Sequence, residues 1–220
     1  MNKIELLRPP KTRGGNWTVV LDDGSEQVVP EGTVAELALY QGQALDDALR
    51  ETLETESRRR SVRELAGRLL VRKLMGAGLL RQKLEKQGCA DEDIDAAIAW
   101  AESIGLLDEE KFVRTLGTRG RTKGWSAMRM RAELRQRLVP QELWDLALEE
   151  LMSPDRAMRL YILKKVKDPN DTKGLERAAR TLQMRGFSWP AVRRCVERMR
   201  AEPSRYWKEP EDLGLSGMDR

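Results

Sequence analysis

Apolar residues recur at helical spacing along most of the chain, and two-residue alternation is confined to its start. There, residues 17–21 (Trp-Thr-Val-Val-Leu) and 26–29 (Glu-Gln-Val-Val) flank Asp22, Asp23, Gly24 and Ser25, which predicts a β-hairpin. Residues 1–15, with Pro9, Pro10, Gly14 and Gly15, read as a loose leader. A lone hairpin is marginal, so it should pack on something else or add to a partner's sheet. Thr33 and Glu36 fit a capping box that opens a short helix reaching Tyr40. Gly42 breaks it, and Leu45, Leu49 and Leu53 then mark an acidic helix over 44–57.

The three arginines 58–60 mark a boundary, and Ser61 with Glu64 forms a second capping box. A stripe through Leu65, Leu69 and Leu70 runs to Met75, where Gly76 and Gly78 interrupt it. A helix over 79–87 stops at Gly88, Asp91 caps the next, and Gly105 ends that one as a left-handed residue. Here a period emerges. Leu84 is followed by Ile94 and Ile98, Leu134 by Leu143 and Ala147, and Leu182 by Val192 and Val196. Leu80, Met130 and Ala178 stand four places before these anchors, which are 50 and then 48 residues apart. Ser188 and Pro190 start the last helix, and residues 168–172 form a turn.

The fold expected is all-α: three tandem three-helix repeats, 58–104, 105–152 and 153–201, stacked into an elongated curved body. Residues 1–57 form a small N-terminal extension of β-hairpin and acidic helices, and 202–220, broken by Pro203, Pro210, Gly214 and Gly217, form a disordered tail.

Charge divides the chain in the same way. Its 220 residues carry a net +4, yet 1–57 sum to −6, 58–200 to +12 and the last twenty to −2. An acidic head on a basic helical body points to nucleic acid or an acidic protein surface. Other chemistry is poorly served. No histidine is present, which excludes Ser-His and Cys-His catalysis and His-ligated metals. No Gly-Lys pair exists to build a phosphate-binding P-loop, and Gly76–Gly78 lacks the strand that a dinucleotide loop requires. Cys89 and Cys195 lack metal spacing and read as reduced, packed thiols. With no apolar run of membrane length, no cofactor and no metal, the expectation is a cytoplasmic, non-enzymatic monomer.

The positive charge peaks between Lys111 and Arg137, where nine basic residues meet one acid, Glu133. Phe112, Val113 and Leu116, then Met130 and Leu134, keep helical spacing, so two amphipathic helices should be joined by a cationic turn over 119–125. Arg119, Arg121, Lys123, Arg129, Arg131 and Arg135 are the candidate contact residues, with Arg81 and Lys83 from the first unit. The middle helices also carry Lys86, Arg137, Arg177, Arg180 and Arg185, a stripe able to follow phosphates or a repeating acidic protein surface. Trp125 is open between stacking on a base, filling a partner's pocket, and stapling its own helix. Trp100, Trp144 and Trp189 read as core packing or repeat-to-repeat contacts rather than base-stacking groups, and the acids 91–93 and 108–110 as helix-start caps.

Residues 105–112 (Gly-Leu-Leu-Asp-Glu-Glu-Lys-Phe), the turn from Arg119 through Lys123-Gly-Trp125, and residues 129–135 (Arg-Met-Arg-Ala-Glu-Leu-Arg) resemble the RecX family of recombination regulators. Residues 79–88 with Ile94 and Ile98 are similar to that family's first repeat, and the likeness runs in order over about 61–200. Leu138 stands where the second repeat usually has glycine, so that turn should be made differently, and Lys173-Gly174 replaces a clean helix start. The resemblance implies a protein that binds the groove of the RecA–DNA filament and inhibits its ATPase, strand exchange and co-protease activity. Single- or double-stranded DNA would be bound weakly and without sequence preference. From another class, a direct DNA-binding helical regulator acting without RecA would use the same basic residues.

Overall fold

The alternating residues pair antiparallel as β2 (Asn16–Leu21) and β3 (Glu26–Pro30), with Trp17 opposite Val29 and Val19 opposite Gln27. The supposed leader supplies a further strand, β1 (Ile4–Arg8), so the sheet runs β1-β2-β3. A register shift between Ile4 and Leu6 breaks strict alternation there, which is why periodicity missed this strand. The structure is a computed structural model that describes residues 3–12 and 15–207. It divides into two compact units, Met1–Leu107 and Asp108–Arg220.

In the first unit α1 (Glu31–Glu36) begins directly after Pro30 and ends before Leu37. Thr33 is therefore inside the helix and caps nothing. Helix α2 (Asp47–Arg72) opens on Asp46, whose carboxylate accepts from the Leu49 N–H at 2.7 Å. It then runs unbroken through the boundary expected at 57/58. The run 47–66 lacks glycine and proline, and Ser61 donates to the Ser57 carbonyl one turn back instead of capping a new start. One helix thus serves two cores. Its Leu53 packs with Ile4, Val19, Leu21, Val29 and Leu45, while Val62, Ala66 and Leu70 pack on α3 (Ala77–Glu85) and α4 (Asp91–Ser103). Gly78 lies within α3 and only Gly76 stands before it.

Asp91 does not cap α4; Ala90 stands there with no side-chain bond. The charged residue that matters is Asp93, 1% exposed, whose carboxylate accepts from Arg58 Nε at 2.6 Å and lies 3.8 Å from Arg59 Nε. An acid read as a helix-start cap is instead the buried end of a tie between α2 and α4.

The second unit is helical throughout its described residues. Helices α5 (Glu109–Lys123), α6 (Ala127–Gln136) and α7 (Trp144–Leu148), the last entered by a 3-10 turn at Gln141–Leu143, enclose Phe112, Leu116, Met130, Leu134 and Ala147. Helices α8 (Pro154–Lys165), α9 (Thr172–Met184) and α10 (Trp189–Ala201) enclose Met158, Ile162, Leu175, Leu182 and Val192. Asp171 caps α9 through the Gly174 N–H, so Lys173-Gly174 sits inside a well-formed start. Trp189 is 51% exposed and so does not fill the core, the first of the two positions expected of it. The tail also departs from expectation where it is described. A short α11 (Pro203–Tyr206) follows α10, its Tyr206 carbonyl accepts from Arg159 Nε, and Trp207 Nε1 donates to the Lys167 carbonyl. Residues 208–220 lie outside the described residues.

After α4, Gly105 at φ 69° donates its own N–H to the Glu102 carbonyl, and the Leu106 N–H returns to Ala101. After α6, Leu138 at φ 57° donates to Arg135 and the Val139 N–H returns to Leu134, in the same pattern. The turn is thus made as a glycine would make it, contrary to the expectation of a different closure. A left-handed Leu costs about 1 kcal/mol, and glycine's greater unfolded-state freedom returns roughly half of that. Leu138 is 44% exposed, so little packing is lost with it. Leu138→Gly should therefore raise stability by about 0.5 kcal/mol, while Leu138→Val, β-branched, should lower it by about 1 kcal/mol. Urea midpoints of the three chains measure this, and a Leu138→Val variant as stable as wild type would remove the argument.

Candidate functional site

The basic stretch forms two amphipathic helices as expected, but the turn between them is shorter than 119–125. Arg119, Arg121 and Lys123 belong to α5, and the turn is only Gly124, Trp125 and Ser126. Gly117 and Gly120 are buried packing positions where α7 and Met130 come close. At α5's start the Asp108 carboxylate does cap, accepting from the Lys111 N–H at 2.9 Å.

Helical geometry then separates the candidates. Arg119 and Arg121 project about 160° apart around α5. Arg121 shares its flank with Arg114, seven residues earlier, and Thr115, Thr118 and Thr122 run between that flank and Arg119. A shallow cleft of about 650 Å³ follows this threonine row, with Arg114 and Arg119 among its walls and Asp108 and Glu110 also lining it. Arg114, absent from the candidates above, is a further exposed cation of this surface; its i, i+7 relation to Arg121 was the available signal.

On α6 the arginines divide into two sets. Arg137 donates to Glu133 Oε1 from Nε at 2.9 Å and Nη2 at 2.6 Å, and Arg129 lies 3.6 Å from the same carboxylate. Arg129 also sits 5.6 Å over the Trp125 ring, with Lys123 Nζ at 5.5 Å. Arg131 and Arg135 occupy the other flank, four residues apart, with exposed Met128 beside them. Arg135 lies 5.6 Å over Trp144, whose Nε1 donates to the Val139 carbonyl at 3.0 Å. Among the described residues Arg114, Arg119, Arg121, Arg131 and Arg135 have no carboxylate partner within ion-pair distance.

The turn is held in place by a residue from α9's end. Arg185 Nη1 donates to the Lys123 carbonyl at 2.7 Å, its own carbonyl accepts from the Ser126 N–H at 3.3 Å, and its guanidinium lies 4.2 Å over Tyr161. Ser126 Oγ meanwhile accepts from the Arg129 N–H, capping α6. Arg185, grouped above with the outward stripe, thus faces inward as a clamp on the turn. No local pattern distinguishes such an arginine from a solvated one. Trp125 is half-buried beside Gly120 and Met130, with two cations over its ring and its packing partners inside the protein.

In the first unit, Arg81 is ion-paired with Asp95, which holds its pKa above the ordinary arginine value. Lys83 is half-buried beside it on α3. Arg81's charge is therefore largely cancelled locally. Burial pushes the Cys195 thiol up to about 11, so it is protonated near neutrality, and both cysteines are free. Among the described residues no cluster of three or more potential ligands could hold a metal, and no helix is long and apolar enough to cross a membrane.

No family model matches the chain. It is 32% identical over 135 residues to regulatory protein RecX of Vibrio campbellii, covering 60% of this chain and 87% of that one. To regulatory protein RecX of Pseudomonas fluorescens it is 31% identical, over 62% of this chain and 90% of the relative. The same-named protein of Chlorobaculum tepidum is 28% identical over 68% and 94%. A crystal structure of a regulatory protein RecX superposes with a TM-score of 0.66 at 16% identity, spanning 90% of this chain and all of that one, which supports the fold.

Proposed function

Given that the chain belongs to the RecX family of regulatory proteins, we propose that it regulates RecA by lying in the groove of the RecA–DNA filament and lowering its ATPase, strand-exchange and co-protease activity. The observation that carries this reading is the charge left over on the second unit. Arg131 and Arg135 on one flank of α6, and Arg114, Arg119 and Arg121 on α5, have no carboxylate partner among the described residues. Arginines held on rigid helices and spared internal pairing suit an acidic protein surface or phosphates.

A tandem arrangement of three helical units belongs to the same reading. The stretches 58–104, 105–152 and 153–201 each contain most of one hydrophobic cluster, the first around Leu84 and Ile94, the second around Leu134 and Ala147, the third around Leu182 and Val192. In this reading the three stretches act as similar units, each meeting an equivalent feature of a helical polymer, so that individually weak contacts combine through effective concentration. Occupying the groove would exclude incoming duplex and client proteins.

RecA's ATP hydrolysis on single-stranded DNA tests this directly. Adding the protein should lower hydrolysis in a dose-dependent, salt-sensitive way. Arg131→Glu with Arg135→Glu should require at least about tenfold more protein for the same effect, the loss expected from removing close interfacial charge contacts. Arg137→Glu reports a different quantity, because it places a second acid beside Glu133 and should lower stability. Unchanged hydrolysis together with no co-sedimentation with RecA filaments would overturn the reading.

A further inference from the structure

A pocket between α8 and α10 plays no part in that reading. It holds about 500 Å³ beside the start of α8 and the end of α10, and Tyr206 of α11 forms one wall. Leu160, Cys195 and Met199 give it an apolar floor, with Cys195 and Met199 buried and Leu160 half-buried. Arg156, Arg159 and Arg198 stand around that floor, and Asp155 is the one acid among the lining residues. Arg198 Nη1 meets Asp155 at 3.3 Å. Arg159 Nε donates to the Tyr206 carbonyl at 3.1 Å, and its guanidinium lies 5.4 Å over the Tyr206 ring. The pocket thus suits a ligand that sets acids at the rim and apolar groups on the floor.

The chain carries such a segment next to the pocket. The described residues end at Trp207, directly after the Tyr206 wall, where Trp207 Nε1 donates to the Lys167 carbonyl. From Arg159 to Lys167 the distance along α8 and its end is about 12 Å. Residues 208–215 read Lys-Glu-Pro-Glu-Asp-Leu-Gly-Leu, three acids within four places followed by two leucines. Extended chain covers about 3.3 Å per residue, so Glu209 to Asp212 can reach about 7 to 17 Å from Trp207, and Leu213 and Leu215 about 20 to 26 Å. The way back to Arg159 and the floor beyond it lies within those spans.

We propose that residues 208–215 dock back into this pocket, with Glu209, Glu211 and Asp212 on the rim arginines and Leu213 and Leu215 over the apolar floor. A phosphate-bearing ligand would answer the arginines but leave Leu160, Cys195 and Met199 uncovered. The segment is a built-in competitor: an external acidic peptide gains these arginines only by displacing it. Attachment through Trp207 sets its effective concentration at about the millimolar level, so even a weak contact stays largely occupied. The pocket uses none of the α5 and α6 arginines invoked above, and neither reading depends on the other.

Cys195, in the floor, reports its own cover. The test alkylates the full chain with iodoacetamide, without RecA, and follows Cys195 by mass spectrometry, with Cys89 of the other unit as internal reference. Leu213→Ser with Leu215→Ser leaves every charge in place and should speed Cys195 about fivefold, the gain when a cover occupied about four-fifths of the time is lost. Glu209→Lys with Glu211→Lys and Asp212→Lys should speed it at least as much, and Cys89 should keep its rate in both chains. Equal Cys195 rates in wild type and both variants would overturn the proposal. So would a rise confined to the charge reversals, which would mark a changed potential at the thiol rather than an uncovered pocket. Protection that grows with protein concentration would place a second copy's segment in the pocket and equally overturn docking within one chain. Arg131→Glu with Arg135→Glu should alkylate at Cys195 like wild type. Failure in the RecA assay and failure here are thus read on different residues.

Discussion

Gly117→Val should destabilise the second unit by about 3 kcal/mol or more, near the top of what overpacking does. Gly117 faces the core from the middle of α5, where α7 approaches closely. A Cβ there would stand 2.7 Å from the Ala147 carbonyl oxygen, 2.7 Å from Glu150 Cβ and 2.9 Å from Ala147 Cα. Two of these three are backbone atoms, which cannot rotate away. Helix propensity acts in the opposite direction, since leaving glycine gains a few tenths of a kcal/mol for Val and about 1 kcal/mol for Ala. The clash exceeds that gain, so the sign is decided by packing. Gly67→Ala in α2 is the matched control: its nearest contact, 3.9 Å, is ordinary, and propensity alone should add up to about 1 kcal/mol. Urea denaturation followed by circular dichroism measures both. A Gly117→Val chain as stable as wild type would mean that α5 and α7 do not cross at this distance.

Removing the cations around Asp93 should cost more than removing Asp93 itself. Its carboxylate is 1% exposed and depends on Arg58 at 2.6 Å and Arg59 at 3.8 Å. Arg58→Ala with Arg59→Ala leaves a buried, uncompensated charge, and about 3 kcal/mol should be lost from the first unit. The N-terminus of α4 offsets a part of this through its dipole. Asp93→Ala instead frees arginines that are 53% and 38% exposed and can turn to water, so about 1 kcal/mol is expected. In the triple variant the buried charge is gone, and stability should recover towards that of Asp93→Ala alone. Additive losses with no recovery would show that the ion pair is not what joins α2 to α4.

Much of the architecture could be read from periodicity because the signals involved are local. The anchors Leu84, Leu134 and Leu182 are all fully buried, as their spacing implied. Gly105 and Ser126 act at helix ends through bonds to residues three to five places away. The errors share a cause. The bulge in β1, the unbroken run of α2 through 57/58, and the ordering of α11 on α8 all depend on distant partners that outweigh weak local signals. Gly120, placed by its sequence in a turn over 119–125, lies instead inside one continuous helix, where it and Gly117 permit close approach.

By itself the amino-acid order determined the helical class, the apolar anchors, the excess of positive charge beyond residue 57 and the lack of histidine chemistry. These follow from composition and from contacts within a turn or two of chain. It could not determine which arginines remain available. Arg129 and Arg137 meet Glu133, Arg81 meets Asp95, Arg58 meets Asp93 and Arg185 turns inward to Lys123. Arg114, Arg121, Arg131 and Arg135 meet no carboxylate within ion-pair distance among the described residues. Arginines are alike in sequence, and only the positions of carboxylates, carbonyls and rings brought near by folding decide which charges are neutralised and which face a partner.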